Sequence, residues 1–260
     1  MITFDGVTFH ERGYRFAPGE DAVLAIKREG LQGFQDSAEV VGERTRVSGS
    51  HGEYDGPTHL TGVVRTITGV ALARSRGHLQ SMRDRVAALT LAGTQRLEWN
   101  RVEFGESSRW CHARVLGAIE WRMDPHRRPG GYWCADFTLQ LHSALPWWYG
   151  ATRSYTVQPG RAVEVVQYGN ATAFPSYDVV GPADWWGFRV GGSEVIGPGS
   201  LRAGELVHLD ALAGVGTTAD GRLVTGLRGL IPLVPPGASV LHMPGTGAGS
   251  ATVTITDTYA

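Results

Sequence analysis

The sequence predicts a mainly β chain, with a β-rich N-terminal half carrying one α-helix and an antiparallel β-sandwich after it. Three observations predict this. Thr/Val/Ile-rich alternating segments recur along the chain between Gly- and Pro-containing breaks, and Gly supplies 36 of 260 residues, roughly twice ordinary usage. One segment alone, 78–92, has helical periodicity. From residue 151 onward there is no helical period, just short strand-like runs between turns.

In order, "MITFDGVTF" reads as an opening strand, and "ERTRVSGSHGEYDGPTHLTGVVRTITGVALA" as strands around a Gly-rich break at 49–56. That polar arm suits a mobile loop, or a hairpin that reaches a neighbouring subunit. In "HLQSMRDRVAALTLAG", Leu79, Met82, Val86 and Leu89 follow spacings of three, four and three, and Gly93 suits the position just past the helix end. A lone amphipathic helix in a β-rich chain must lay its apolar stripe on a sheet. A hairpin then joins "RWCHARVLGAIEWRM" to "YWCADFTLQLHSAL" through "DPHRRPGG". Pairing Met123 with Trp133 sets the apolar positions 113, 115, 119, 121 and 123 opposite Trp133, Ala135, Phe137, Leu139 and Leu141. In that register Cys111 faces residues near 145 and Cys134 lies near Arg122, which predicts two free, partly buried thiols. "ALPWWYG" closes the first domain, 1–150. The second, 151–260, offers eight strand candidates: "RSYTVQ", "RAVEVVQYGN", "SYDVVG", "WWGFRVGG", "GELVHLDAL", "GRLVTGL", "GASVLHM" and "SATVTITD".

Composition narrows the function. Net charge is −1, so no general basic surface is available for nucleic acid or acidic lipid. Two cysteines are too few for a disulfide framework or a Cys-based zinc site. No basic-then-apolar leader opens the chain and no apolar run reaches about 18 residues, which predicts a soluble protein made in a cytoplasm. "PGTGAGSA" at 244–251 lacks the Lys-Ser/Thr ending of a phosphate loop and reads as a turn. The nine histidines show no metal-ligand spacing. His112 and His142 could meet across the hairpin on its polar face. No G-x-S-x-G elbow supports a Ser nucleophile. Asp178, Asp184, Glu194, Glu205 and Asp210 are carboxylates in a sandwich that could serve a glycosidase, yet none is flanked so as to mark an acid and its partner. No catalytic residue, metal or cofactor is therefore assigned. The doublets Trp147-Trp148 and Trp185-Trp186 are the best binding hint: in a strand one ring points inward and the other outward, so one of each pair is available to glycan or a protein partner.

Taken together these segments resemble the distal tail proteins of long-tailed, non-contractile bacteriophages. The N-terminal half resembles that family's ring-forming domain: the strand "MITFDGVTF", the Arg/Gly-rich hairpin, the helix, the strand "RWCHARV", and a return strand ending in "ALPWWYG". Relatives commonly have an Asp-Pro there, where this chain has Leu145 before the Pro. The C-terminal half resembles the family's galectin-like sandwich through "YGNATAFPSYDVVG", with Asn170, Pro175 and Gly181. "GELVHLDAL" with Asp210 and the turn Pro236-Gly237 in "LRGLIPLVPPGASVLHM" complete the pattern. The resemblance implies a non-enzymatic virion protein at the tail tip, assembled in the bacterial cytoplasm as a homo-hexameric ring. Such a ring joins the tail tube protein to the tail-associated tip protein and to receptor-binding or side-fibre proteins. DNA is implied as transient cargo through its channel. From another class, a carbohydrate-binding module acting on cell-surface glycan through Trp185 or Trp186 also accounts for the aromatic doublet; a glycoside hydrolase is a weaker third reading.

Overall fold

In the computed structural model the described residues are 1–11, 16, 19–36, 39–46, 53–101 and 107–260, with the backbone alone considered at 40–46 and 53–59. They form two compact units, Met1–Trp148 and Tyr149–Ala260.

The first unit is a closed barrel. Its opening segment is two strands, where the sequence suggested one: β1 (Ile2–Phe4) and β2 (Val7–His10) pair through Asp5 (φ 45°) and Gly6 (φ 72°). Asp-Gly is the dipeptide that tolerates positive φ at both centres of a tight hairpin turn. After them come β3 (Ala22–Gln32), the hairpin β4 (Val40–Arg46) and β5 (Glu53–Leu60), and β6 (Val63–Ala73). Helix α1 (Arg76–Ala88) leads to β7 (Gln95–Trp99), β8 (Arg109–Val115), β9 (Glu120–Met123) and β10 (Trp133–Ser143). Within the unit the strand order is β8-β7-β1-β2-β3-β6-β10, and β10 pairs back onto β8 through Leu141↔Val115 and His142↔Arg114. The ring of strands is thereby complete; β2 and β3 run parallel and its other pairs antiparallel. The hairpin β4–β5 forms a separate two-stranded sheet, and its tip, residues 47–52, lies outside the described residues.

Period-two alternation fills the barrel. Phe4, Phe9, Ile67, Ala71, Leu97, Ala113, Ala135, Phe137, Leu139 and Leu141 are all buried. Phe9 and Phe137 meet at 5.7 Å, and a side chain at Gly69 would collide with the Phe137 ring. The register expected for the 109–145 hairpin holds where β8 meets β10. It moves by two residues at β9, where Met123 faces Ala135 instead of Trp133. A shift of two preserves the faces, so the apolar sets stay together. His142 pairs with Arg114 and not with His112, whose ring packs on Trp110. Both cysteines are free and buried: Cys111 pairs with Leu97 and lies 3.5 Å from the Ser143 hydroxyl, while Cys134 donates to the Arg127 carbonyl.

The helix begins two residues before the predicted start. Ser75 caps it by accepting from the His78 N–H at 3.1 Å. Leu79, Val86 and Leu89 are buried, Met82 half-buried, and α1 packs on β3, β6 and β10. A short 3-10 turn, Leu89–Leu91, and Gly93 at φ 67° end it.

The second unit is a sandwich. Its strands are β11 (Trp148–Val157), β12 (Arg161–Gln167), β13 (Ser176–Val180), β14 (Trp185–Val190), β15 (Ser193–Ile196) and β16 (Leu206–Asp210). The rest are β17 (Val215–Thr218), β18 (Arg228–Gly229), β19 (Gly237–Met243), β20 (Gly245–Thr246) and β21 (Ser250–Tyr259). One sheet runs β17-β16-β13-β21-β11. The other runs β12-β19-β14-β15-β18, with β20 alongside β14. Tyr177 of the first sheet meets Phe188 of the second at 4.4 Å, inside a core that includes Trp186, Leu209, Leu241, Met243 and Val253. The segment "GRLVTGL", expected as a strand, holds just an isolated bridge at Leu223 and otherwise belongs to a long irregular connection. Further along this connection the buried Tyr177 hydroxyl donates to the Pro232 carbonyl at 2.6 Å, and burial pushes that phenol's pKa far up.

Strand β12 is an edge, and Tyr155 of the opposite sheet occupies part of it. Its hydroxyl accepts from the Val166 N–H and donates to the Val166 carbonyl, both at 3.1 Å. Tyr155→Phe strands both groups, so the variant is expected to lose about 1–3 kcal/mol of unfolding free energy. A urea melt checks this; an unchanged midpoint would show that water replaces the hydroxyl without loss.

Candidate functional site

The expected motif residues of the second unit sit at turns, each with a local task. Asn170 accepts through Oδ1 from the Ala260 N–H at 2.8 Å, and Gly169 leaves no room for a side chain against the Thr258 carbonyl. Beside them Asp257, buried, accepts from Arg153 and from the Tyr168 N–H, both at 2.8 Å, so the 168–170 turn clamps β21. Pro175 lies just before β13, and its carbonyl accepts from Ala211. A side chain on Gly181 would strike the Arg202 carbonyl. Asp210 Oδ1 accepts from the Leu212 and Ala213 N–H groups at 2.8 and 3.0 Å. Gly237, at φ 92° after Pro236, begins β19.

Of the other candidate carboxylates, three are likewise occupied. Glu205 accepts from the Arg202 N–H at 2.7 Å and Asp184 from the Thr246 hydroxyl at 3.2 Å. Asp178 lies 2.7 Å from His208 Nδ1, its register partner across β13 and β16. Among the described residues, no group of three or more His, Cys, Asp or Glu is arranged to hold a metal ion.

Two surfaces remain as candidates. In the first unit β3 bulges: Ile26 pairs with Gly69 and Leu31 with Ile67, so residues 27–30 stand against Thr68 alone. Below the bulge lies a cavity of about 650 Å³, bordered by Glu11, Arg28, Gln32, Phe34 and Trp99. Lys27, which also borders it, places Nζ 2.8 Å from Asp136 Oδ1, and Arg127 donates to Asp136 Oδ2 at 3.0 Å. Lys27 first, then Arg127, holds the Asp136 carboxyl below its ordinary range.

In the second unit the Trp doublet divides. Trp185 is 41% exposed. Trp186, named with it as a possible contact, is buried at 1% and is core, so it offers no surface for a glycan or partner. The reason is the strand's alternation combined with Gly197, whose bare Cα lets the Trp186 indole pack where any Cβ would collide. Trp185 borders a groove of about 530 Å³ with Ile196, Pro198, Leu227 and Arg228. Arg228 escaped the sequence reading because it sits in an irregular connection, and pairing with Ile196 is a long-range event.

With both units described, the fold can be placed among solved structures. It aligns with the Dit protein of phage SPP1, described as a paradigm of hub adsorption apparatus in phages that infect Gram-positive bacteria. That likeness has a TM-score of 0.67 at 12% identity and covers 100% of this chain and 98% of the other. The fold is that of a phage distal tail hub protein. Chains of the phage P2 baseplate in its activated conformation, with Ca and with Sr, align more loosely. Their TM-scores are 0.43 and 0.44 at 10% and 9% identity, over 92% of this chain and 91% of theirs. No family model matches the sequence, and no curated protein matches it. Among the described residues, no helix is long and apolar enough to cross a membrane.

In this hub fold the Asp136 cluster ties the β3 bulge to β10, which gives it a pH signature. An unfolded Asp titrates near about 3.9. The folded carboxyl titrates lower, so its contribution is complete above the unfolded value and is lost as pH falls through the folded one. Lys27→Gln is expected to raise the Asp136 pKa and to shrink that acid-dependent loss. A carboxyl-carbon NMR titration reads it; an unmoved Asp136 would leave Arg127 as the partner that matters.

Proposed function

We propose that the chain is a structural, non-enzymatic subunit of a phage tail tip. Six copies close a ring that joins the tail tube to the tail-associated and receptor-binding proteins and leaves a channel for DNA. The observation that carries this is the end-to-end fold likeness to the SPP1 hub protein, which spans both units. In this reading residues 1–150 form the ring and 151–260 the outward sandwich.

Three physical features support it. A cyclic ring needs two different, complementary surfaces on each subunit. The hairpin β4–β5 adds to neither sheet of its own chain among the described residues, and a lone two-stranded hairpin is marginal in water, so it is suited to rest on a neighbour. A net charge of −1 suits a conduit, because a strongly basic lumen would hold the passing phosphates.

Native mass spectrometry tests the ring, alone and after co-expression with the tail tube protein of the same phage. The expected mass is six times the 28.0 kDa chain, with a six-fold ring in negative stain. A monomer under both conditions would overturn the ring.

A further inference from the structure

We infer that the groove beside Trp185 is a saccharide-binding site that prefers pyranosides carrying a negative charge. The inference is independent of the ring, since it rests on the second unit's surface alone.

The platform comes first. A tryptophan face takes the C–H face of a pyranose, and Trp185 is 41% exposed at the first position of β14. It is also held in place. Trp185 pairs with Thr246 of β20, the next residue is the buried Trp186, and the Gly197 N–H donates to the Trp186 carbonyl at 2.9 Å. Asp184, just before, accepts from Thr246. A ring anchored through its strand on both sides loses little freedom when a ligand stacks on it.

The walls come next. Ile196, Pro198 and Leu227 supply apolar sides, while Gly197, Gly199 and Gly226 leave peptide groups uncovered by side chains. A volume of about 530 Å³ lies within the range of small-molecule sites, and the lining is confined to the ends of β14, β15 and β18 and the turns beside them. A stable protein interface would need about 800 Å² from each partner. A ligand with alternating C–H faces and hydroxyl edges matches a wall of apolar side chains interrupted by bare backbone.

The charge comes last. Among the described residues, Arg228 is the one ionisable side chain bordering the groove, and it is exposed. It sits on β18, whose pairing with β15 places it opposite Ile196. A guanidinium offers a planar fork of donors that fits a carboxylate or phosphate substituent in two contacts. The groove therefore favours uronic, sialic or phosphorylated sugars over neutral ones.

The test uses the full chain on an array of matched acidic and neutral pyranosides, with Trp185→Ala, Trp185→Phe and Arg228→Ala beside it. Each variant's melting temperature and ring mass are recorded in parallel. The wild-type chain should retain acidic glycans about tenfold better than neutral ones, the size expected of one charge-assisted contact. Trp185→Ala should lose both, Trp185→Phe should keep part, and Arg228→Ala should level the two classes. No retention by the folded wild type would overturn the proposal, as would retention unchanged in Trp185→Ala. Loss of ring mass in Trp185→Ala would instead assign the groove to a neighbouring protein. Retained glycan by a chain that forms no ring would sink the hub reading and leave this one standing.

Discussion

A buried guanidinium organises the first unit. Arg65, in β6, is 1% exposed, donates to the Ser143 hydroxyl at 2.6 Å, and lies 4.4 Å from the centre of the Trp148 ring. Among the described residues its contacts are a hydroxyl and an indole in place of a carboxylate. Burial pulls its pKa down, yet an arginine keeps its proton, so the charge must be met where it stands. A desolvated cation over an indole gains about 2 kcal/mol, and the hydroxyl removes one orphaned donor. Each contact fixes a strand. Ser143 ends β10, Trp148 opens β11, and Trp148 packs on Trp99 of β7 and on Phe34. Moving the guanidinium off these partners would leave an unpaired charge in the core at the end of β10, where that strand pairs with β6 on one edge and with β8 on the other. The same burial, with Arg65 opposing it, pushes the nearby Cys111 thiol up, which keeps it protonated.

The second unit solves its packing through glycine and tyrosine. Gly197 admits the Trp186 indole, so the largest buried side chain of the sandwich can fill space between the sheets. Tyr177 carries a phenol into the core and satisfies it on Pro232, which pins the long connection between β17 and β19 to the sheet it covers. That connection has few ladder bonds of its own, so a buried hydroxyl in a dry setting is worth more there than at a solvated turn. The consequence reaches the surface. Residues 226–228, which wall the Trp185 groove, hang from the same connection.

What could be read from the sequence follows how local each feature is. The helix was legible because Leu79, Val86 and Leu89 repeat within four turns, and the Ser75 cap adds just two residues at its start. The faces of β9 and β10 were legible because a strand's alternation survives a two-residue slip. Barrel closure was not: the β8–β10 contact follows from the hairpin, but the β1–β7 and β6–β10 pairings that carry the sheet round to it are long-range and leave no periodic trace. Arg65 was hidden for a different reason. A charged residue in a Thr/Val/Ile strand reads as solvent-facing, and it takes Ser143 and Trp148, both distant in sequence, to make an inward arginine tolerable. The Trp doublet was half legible: alternation says that one ring is inside, but choosing Trp186 required knowing that Gly197 lies across from it.

Strand edges decide whether a β-rich chain can meet its own copies without polymerising. An open, flat edge invites another chain to add a strand, and repeated addition has no natural stop. Barrel closure consumes most edges of the first unit, leaving the four-residue β9 beside β10. In the sandwich, Tyr155 occupies the β12 backbone at Val166, and the opposite edge, β18, is two residues long with Gly229 at φ 89°. In the ring proposed above, contacts between copies would run through side-chain faces and the separate β4–β5 hairpin. Faces have fixed shapes and angles, so the contacts they make repeat by a fixed rotation, which closes a ring when that rotation divides a full turn and continues as a filament when it does not. For such a ring, control of strand edges would matter more than any catalytic group, because an added strand would compete with the contact that sets the stoichiometry.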